Sequence, residues 1–175
     1  ANYDTIHAYL ITGTIKINVI WNDWFLPSKA GLAAMYTNLK AEEVGDFADE
    51  VYWNSTEYNP TTSWANNFDT GTEYGAGKVN EFRVRACRSF IAGLGAYSLR
   101  DIGPGGGLIF HVDGTTYHEA APSDQSTSKI WSNIQDVEIG TTSAAIGEGQ
   151  NNTNKIIAQE GHTDSAAKLC DDLVI

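Results

Sequence analysis

Cysteine is confined to Cys87 and Cys170, and methionine to one position in 175 residues. A small disulfide-stapled scaffold is therefore excluded, and the chain must be held by an apolar core. With 42% apolar and 11% aromatic residues it has the material for one domain. Basic residues are scarce: 11 Lys and Arg stand against 22 Asp and Glu, a formal charge of −11. Such a field repels phosphate backbones and anionic lipid surfaces, which disfavours nucleic-acid binding and charge-driven capture of sulfated glycans. No apolar run approaches the ~18 residues of a membrane span, so no transmembrane segment is expected. The first residues lack the basic start and apolar core of a signal peptide, so a secreted form would have lost its leader. Catalytic signatures are missing too: there is no Gly-x-Ser-x-Gly elbow, His-Glu-x-x-His helix or Cys-x-x-Cys pair. His7, His111, His118 and His162 lack metal-site spacing and read as ordinary strand or loop residues. The expectation is a protein that is not an enzyme.

What is present begins with an alternating segment. Tyr9, Ile11, Gly13, Ile15, Ile17, Val19 and Trp21 occupy odd positions, with Thr12, Thr14, Lys16 and Asn18 between them, the period of a half-buried strand. One strand of that length would reach roughly 40 Å, longer than usual. Either Thr12-Gly13 turns it into a hairpin, or it is a single long strand that completes a neighbour's sheet.

Ser28 is a helix N-cap, followed by Leu32, Met35, Tyr36 and Leu39 at helical spacing, and Pro27 stops the preceding strand. The acidic run Glu42, Glu43, Asp46, Asp49 and Glu50 reads as a solvated loop. Val51-Tyr52-Trp53 reads as a short strand, Asn59-Pro60 as a turn, 63–68 as a strand and 71–77 as a loose connection. Phe82, Val84 and Ala86 alternate with Arg83, Arg85 and Cys87, which predicts a strand with one covered face. Residues 91–96 are small and flexible and read as a linker.

The run Gly103-Pro104-Gly105-Gly106-Gly107 precedes the apolar strand 108–112. A phosphate cradle needs a strand before it and a helix N-terminus after it, so this run reads as a turn. Two helices are expected at 154–159 and 164–173, the second capped by Thr163.

Three blocks carry a family resemblance: Trp24-Phe25-Leu26-Pro27-Ser28-Lys29, Tyr52-Trp53-Asn54-Ser55-Thr56-Glu57 and Phe82-Arg83-Val84-Arg85-Ala86-Cys87-Arg88. They resemble the signature of the bacterial family named after the C-terminal domain of the Lcl collagen-like adhesin. Tyr117-His118-Glu119-Ala120-Ala121-Pro122-Ser123-Asp124 and Trp131-Ser132-Asn133 resemble another part of it. In that family the segment resembling 97–175 comes first and that resembling 22–90 second. The resemblance thus implies an α+β, C-type-lectin-like domain over 22–175, circularly permuted, with halves 22–90 and 97–175 joined by linker 91–96. Residues 1–21 form an extra N-terminal β segment. A window cut across a tandem array would give the same order, each half then pairing with partners outside this sequence. The family has an acidic residue where Gly31 stands, so the helix after Ser28 starts less firmly here.

The resemblance also shapes the functional expectation: a secreted or cell-surface binding or adhesion module, its protein or glycan ligand unidentified. The candidate ligand set is Tyr58, Asn59, Trp64, Asn66 and Asn67, with Trp53 assigned to the core. Aromatics supply area at low entropic cost and amides supply hydrogen bonds. The alternative is a self-assembling subunit of an extracellular filament or oligomer, using Tyr9, Ile11, Ile15, Ile17 and Val19 for β-pairing between subunits. No cofactor is expected. Calcium stays open, with candidate oxygens at Asp46, Asp49, Glu50, Glu57, Asn59, Asp69 and Glu73, although no Glu-Pro-Asn or Gln-Pro-Asp triplet occurs. The fold often joins the regions of Cys87 and Cys170 by a disulfide, but relatives carry the strand cysteine at the place of Ala86, on the other face. A disulfide and two buried thiols both remain open.

Overall fold

Consecutive side chains of an extended strand point to opposite sides. At Trp24-Phe25-Leu26, Tyr52-Trp53 and Ala86-Cys87 both sides are apolar, so these stretches form a wall between two cores. Trp24, Leu26, Trp53, Val84, Ala86 and Trp131 pack on one side with Ile156, Ala166, Ala167 and Cys170. Phe25, Tyr52 and Cys87 pack on the other with Leu32, Met35, Leu39, Phe68, Phe110 and Ala120. Each fully buried Leu, Met or Phe contributes about 1.5–3 kcal/mol of transfer free energy. That places much of the fold's cohesion in the quoted blocks.

The structure, a computed structural model, describes residues 5–11 and 14–175. It is a mixed α+β fold. Strands β1 (Thr5–Ile11) and β2 (Thr14–Ile20) form an antiparallel pair. A second sheet has the order β10-β6-β3-β4-β5, built from β3 (Val51–Asn59), β4 (Thr62–Asn67), β5 (Glu73–Gly77), β6 (Glu81–Val84) and β10 (Ser126–Ile130). A third has the order β7-β9-β8, from β7 (Cys87–Ile91), β8 (Leu108–Asp113) and β9 (Thr116–Ala120). Helices are α1 (Lys29–Asn38), α2 (Gly149–Ile157) and α3 (Ala166–Asp171). Among the described residues no helix is long and apolar enough to cross a membrane.

Both larger sheets draw strands from both halves of the chain: β10 joins strands of 22–90, and β7 joins strands of 97–175. The halves therefore pair with one another. The joint between them is pinned by the Tyr117 hydroxyl, which donates to the Gly93 carbonyl (2.8 Å) and accepts from the Ala96 amide (3.1 Å). At the opposite end Trp21 and Ile175 exchange two backbone hydrogen bonds of 2.7 and 3.0 Å.

Several expectations hold. Ser28 caps α1 by accepting from the Gly31 amide, and Leu32, Met35 and Leu39 are buried. Gly31 itself is buried, and a Cβ there would stand 3.3 Å from Ser28 Oγ. Trp53 is core.

Others are corrected. Of the two readings of the N-terminal segment, the antiparallel pair is found and the single long strand is not: in β1–β2, Tyr9 is opposite Lys16 and Ile11 opposite Thr14, while Ile15, Ile17 and Val19 are opposite Leu10, Ala8 and Ile6. Thr12-Gly13, read as the turn, lies outside the described residues. β3 runs to Asn59 and is not short. The loose connection 71–77 contains β5, whose alternation is hidden by Gly75 and Gly77. The strand across 82–87 breaks at Arg85-Ala86, passing from one sheet to another, and both its faces are covered: Arg85, Cys87 and Arg88 are as buried as Ala86. α2 begins at Gly149, and α3 is capped by Ser165 accepting from Lys168, not by Thr163.

Candidate functional site

Outward-facing positions of β3, β4 and β5 assemble an aromatic and charged surface beside the start of α1. Trp64 on β4 lies opposite Gly75 on β5. Tyr58 stands edge-on to Trp64, ring centroids 4.9 Å apart at 83°. A Cβ on Gly75 would come within 3.2 Å of the Tyr58 ring, so the glycine leaves room for it. The Lys29 ammonium, at the first turn of α1, sits 3.3 Å from the Trp64 ring centroid and 3.5 Å from the Glu73 carboxylate. Trp64 thus has one face covered by a cation, a contact worth about 0.5–1 kcal/mol at an accessible site. Tyr58 remains 58% exposed.

The three asparagines of the candidate set serve the fold. Asn66 is 1% exposed, a correction to its expected exposure: its Oδ1 accepts from Asn54 and its Nδ2 donates to Glu73. Asn59 Oδ1 accepts from the Thr61 and Thr62 amides and the Thr61 hydroxyl, closing the β3–β4 turn. Asn67 Oδ1 accepts from the Asp69 and Thr70 amides in the β4–β5 turn. Side-chain oxygens that satisfy turn amides in this way replace missing ladder bonds. The structure therefore brings Tyr58 and Trp64 together and adds Lys29, Glu73 and Gly75, which sequence reasoning missed.

The candidate calcium oxygens are dispersed. Glu57 is buried against Lys78, Glu73 pairs with Lys29 and Asn59 closes its turn. Asp46, Asp49 and Glu50 are exposed on the loop after α1. Among the described residues no group of three or more His, Cys, Asp or Glu side chains is gathered to hold a metal ion.

The Gly-rich run has an anion after all, the chain's own. Glu119 on β9 accepts from the Gly105 amide (3.1 Å) and the Gly107 amide (2.8 Å), with Arg88 Nη1 3.4 Å away. A Cβ on Gly103 would lie 2.5 Å from the Glu119 carboxyl carbon. Arg88 in turn grips Asp23 through Nε and Nη2 at 2.7 and 2.9 Å. The neighbouring Arg85 donates to Asp124 at 2.7 Å, where Arg83 and the Tyr52 hydroxyl also converge. Burial, together with the Asp124 charge, pushes the Tyr52 hydroxyl well above the ordinary phenol range. These arginines tie residues of 22–90 to Glu119 and Asp124 of the other half, and Arg85 and Arg88 are buried in doing so.

Cys170 packs with Ala86 in one core, and Cys87 lies in the other. Both are fully buried thiols, raised above the ordinary range chiefly by burial. His118 is buried, its ring 5.3 Å from that of His111. No protein-family model, curated protein or solved structure matches the chain, so the reading of the β3–β4–β5 face rests on its own geometry.

Proposed function

We propose that this chain is a non-catalytic recognition or adhesion module of C-type-lectin-like type, secreted or displayed at a cell surface, with the halves of that fold in exchanged order. The Tyr58–Trp64 pair carries the reading. A lone exposed aromatic is ordinary, but Tyr58 is exposed while its orientation is fixed by Trp64 on β4 and Gly75 on β5. An aromatic face held in place before a ligand arrives loses little entropy on binding. Sugar rings and flat peptide groups stack on such a face, and Lys29 and Glu73 supply charge-assisted hydrogen bonds at its rim. The exchanged order is supported by two features: Trp21 lies beside Ile175, and the joint at Gly93 to Ala96 is closed by Tyr117.

Glycan and peptide arrays probed with the wild type and with Tyr58→Ala test this. The reading expects a ligand whose affinity falls at least tenfold in the variant while melting is unchanged. Undiminished binding by Tyr58→Ala would move the site elsewhere.

One observation favours a second reading, self-assembly through the N-terminal segment: β1 and β2 form a sheet of their own, with no third strand among the described residues. Electron microscopy of the chain beside a version lacking residues 1–21 tests it. Oligomers that vanish on truncation support it, and monomers in both samples overturn it.

A further inference from the structure

A break in strand register brings two histidines together. On β8 and β9 Ile109 stands opposite Glu119, and an unbroken antiparallel count would then set Phe110 opposite His118. The ladder instead skips Phe110 and places His111 opposite His118, so Phe110 is the extra residue of a β-bulge. The bulge is built in: the Phe110 side chain is buried, and its carbonyl accepts from Asn38 Nδ2 at 3.0 Å. Residues directly opposite one another share a face of the sheet, and the two imidazoles stand with ring centroids 5.3 Å apart at 53°. Asp113 lies two residues further along β8, opposite Thr116. Among the described residues the one histidine in a side-chain hydrogen bond is His162. The polar side-chain atoms that are both sealed and unpaired are Thr62 Oγ1, Ser63 Oγ and Gln159 Oε1, so the His118 nitrogens are unpaired yet still reach solvent, although the residue as a whole is only 5% exposed.

We propose that the His111–His118 pair binds a late first-row divalent transition ion, Cu2+ more tightly than Zn2+, through one nitrogen of each ring, with water at the remaining positions. Three observations carry it. Two imidazoles that share an ion at ~2.0–2.1 Å per nitrogen hold their ring centres roughly 5 Å apart at a tetrahedral angle, which is the separation the bulge already imposes. Buried imidazoles ordinarily spend their nitrogens on protein partners, and this pair does not among the described residues. The surroundings also favour a cation: the Asp113 charge acts on His118, and the chain carries a formal charge of −11. Imidazole nitrogen selects copper and zinc over calcium or magnesium, and the affinity order of such ions puts Cu2+ above Zn2+. With two protein ligands the ion is exchangeable, unlike a four-ligand structural zinc. The sequence shows no such site because the bulge, and not the spacing of the two histidines, sets them opposite. The pair lies on a different sheet from the Tyr58–Trp64 face and does not depend on that reading.

Calorimetric titration of the intact chain with CuCl2 and with ZnCl2, at neutral pH in a non-chelating buffer, tests this. The wild type is expected to take up one equivalent of Cu2+, and to hold it more tightly than Zn2+. His111→Gln and His118→Phe are each expected to weaken Cu2+ binding at least tenfold, whereas a variant carrying both His7→Gln and His162→Gln binds as the wild type does. In the unsubstituted chain, substoichiometric Cu2+ is expected to broaden the ring resonances of His111 and His118 before those of His7 and His162, which reads the site even where a variant folds poorly. Absence of Cu2+ uptake by the wild type would overturn the proposal. So would Zn2+ bound more tightly than Cu2+, uptake that both single variants retain, or broadening centred on another histidine.

Discussion

Lys78 and Glu57 meet at 2.6 Å with side chains 0% and 3% exposed, an ion pair sealed under the loop that follows β10. Each also holds that loop: Glu57 accepts from the Ile139 amide at 2.9 Å, and Lys78 donates to the Val137 carbonyl at 3.3 Å. Lys78 further lies 5.0 Å from the Trp131 ring centroid. Two charges removed from water repay their desolvation only while both are present.

Removing one partner is therefore the costly change. Glu57→Leu or Lys78→Met is expected to lower unfolding free energy by about 3–5 kcal/mol, while the double variant recovers most of that loss. Urea denaturation of the three variants measures it. A double variant as unstable as either single one would show that the loop contacts matter more than the stranded charge.

Adjacent glycines in the Glu119 cradle should respond unequally to alanine. At Gly107 a Cβ would fall 1.7 Å from the Ala120 carbonyl oxygen, so the backbone must shift. At Gly106, where φ is +84°, a Cβ meets open space. Gly106→Ala is expected to cost about 1–2 kcal/mol of left-handed strain, and Gly107→Ala distinctly more. Equal losses in melting temperature would contradict the close packing of the run on β9.

His118 gives the fold a pH dependence of definite sign. Burial, with the His111 charge, lowers its pKa from 6.5 to about 4, and Asp113 opposes the shift. The unfolded chain therefore binds this proton more readily than the folded one. The contribution is fully present above about pH 6.5 and is lost as pH falls toward 4, on the order of 3 kcal/mol in all. His118→Phe is expected to flatten stability across that window relative to wild type. Parallel wild-type and variant curves would remove His118 from the account.

Restoring the other chain order tests the exchange of halves. A variant lacking residues 1–21, with Ile175 joined through a short Gly-Ser linker to Asn22 and new ends opened between Gly93 and Leu94, is expected to fold cooperatively. The ends being joined are neighbours, so the closure entropy of a short link is small. A variant that stays unfolded by circular dichroism would speak against the permuted reading.

Local features were legible in the sequence because their causes are local. Ser28 announces its helix, and Leu32, Met35 and Leu39 announce the buried face. Asn66 was misjudged because what buries it, Asn54, comes from an adjacent strand, and polarity alone suggested exposure. Arg85 looked like the solvent side of a strand because its partner Asp124 lies 39 residues away. β5 escaped because glycine hides alternation. Of the aromatic face, Tyr58 and Trp64 could be read, whereas Lys29 and Glu73 depended on how α1 settles against the sheet.

The joint at Gly93 to Ala96 has one more consequence. Because each large sheet takes strands from both sides of it, a cut there would release no folded fragment. The two pieces would behave as an obligate heterodimer, each supplying the strand that the other's sheet lacks, so the domain is a ready-made split reporter whose reassembly registers when its carriers meet.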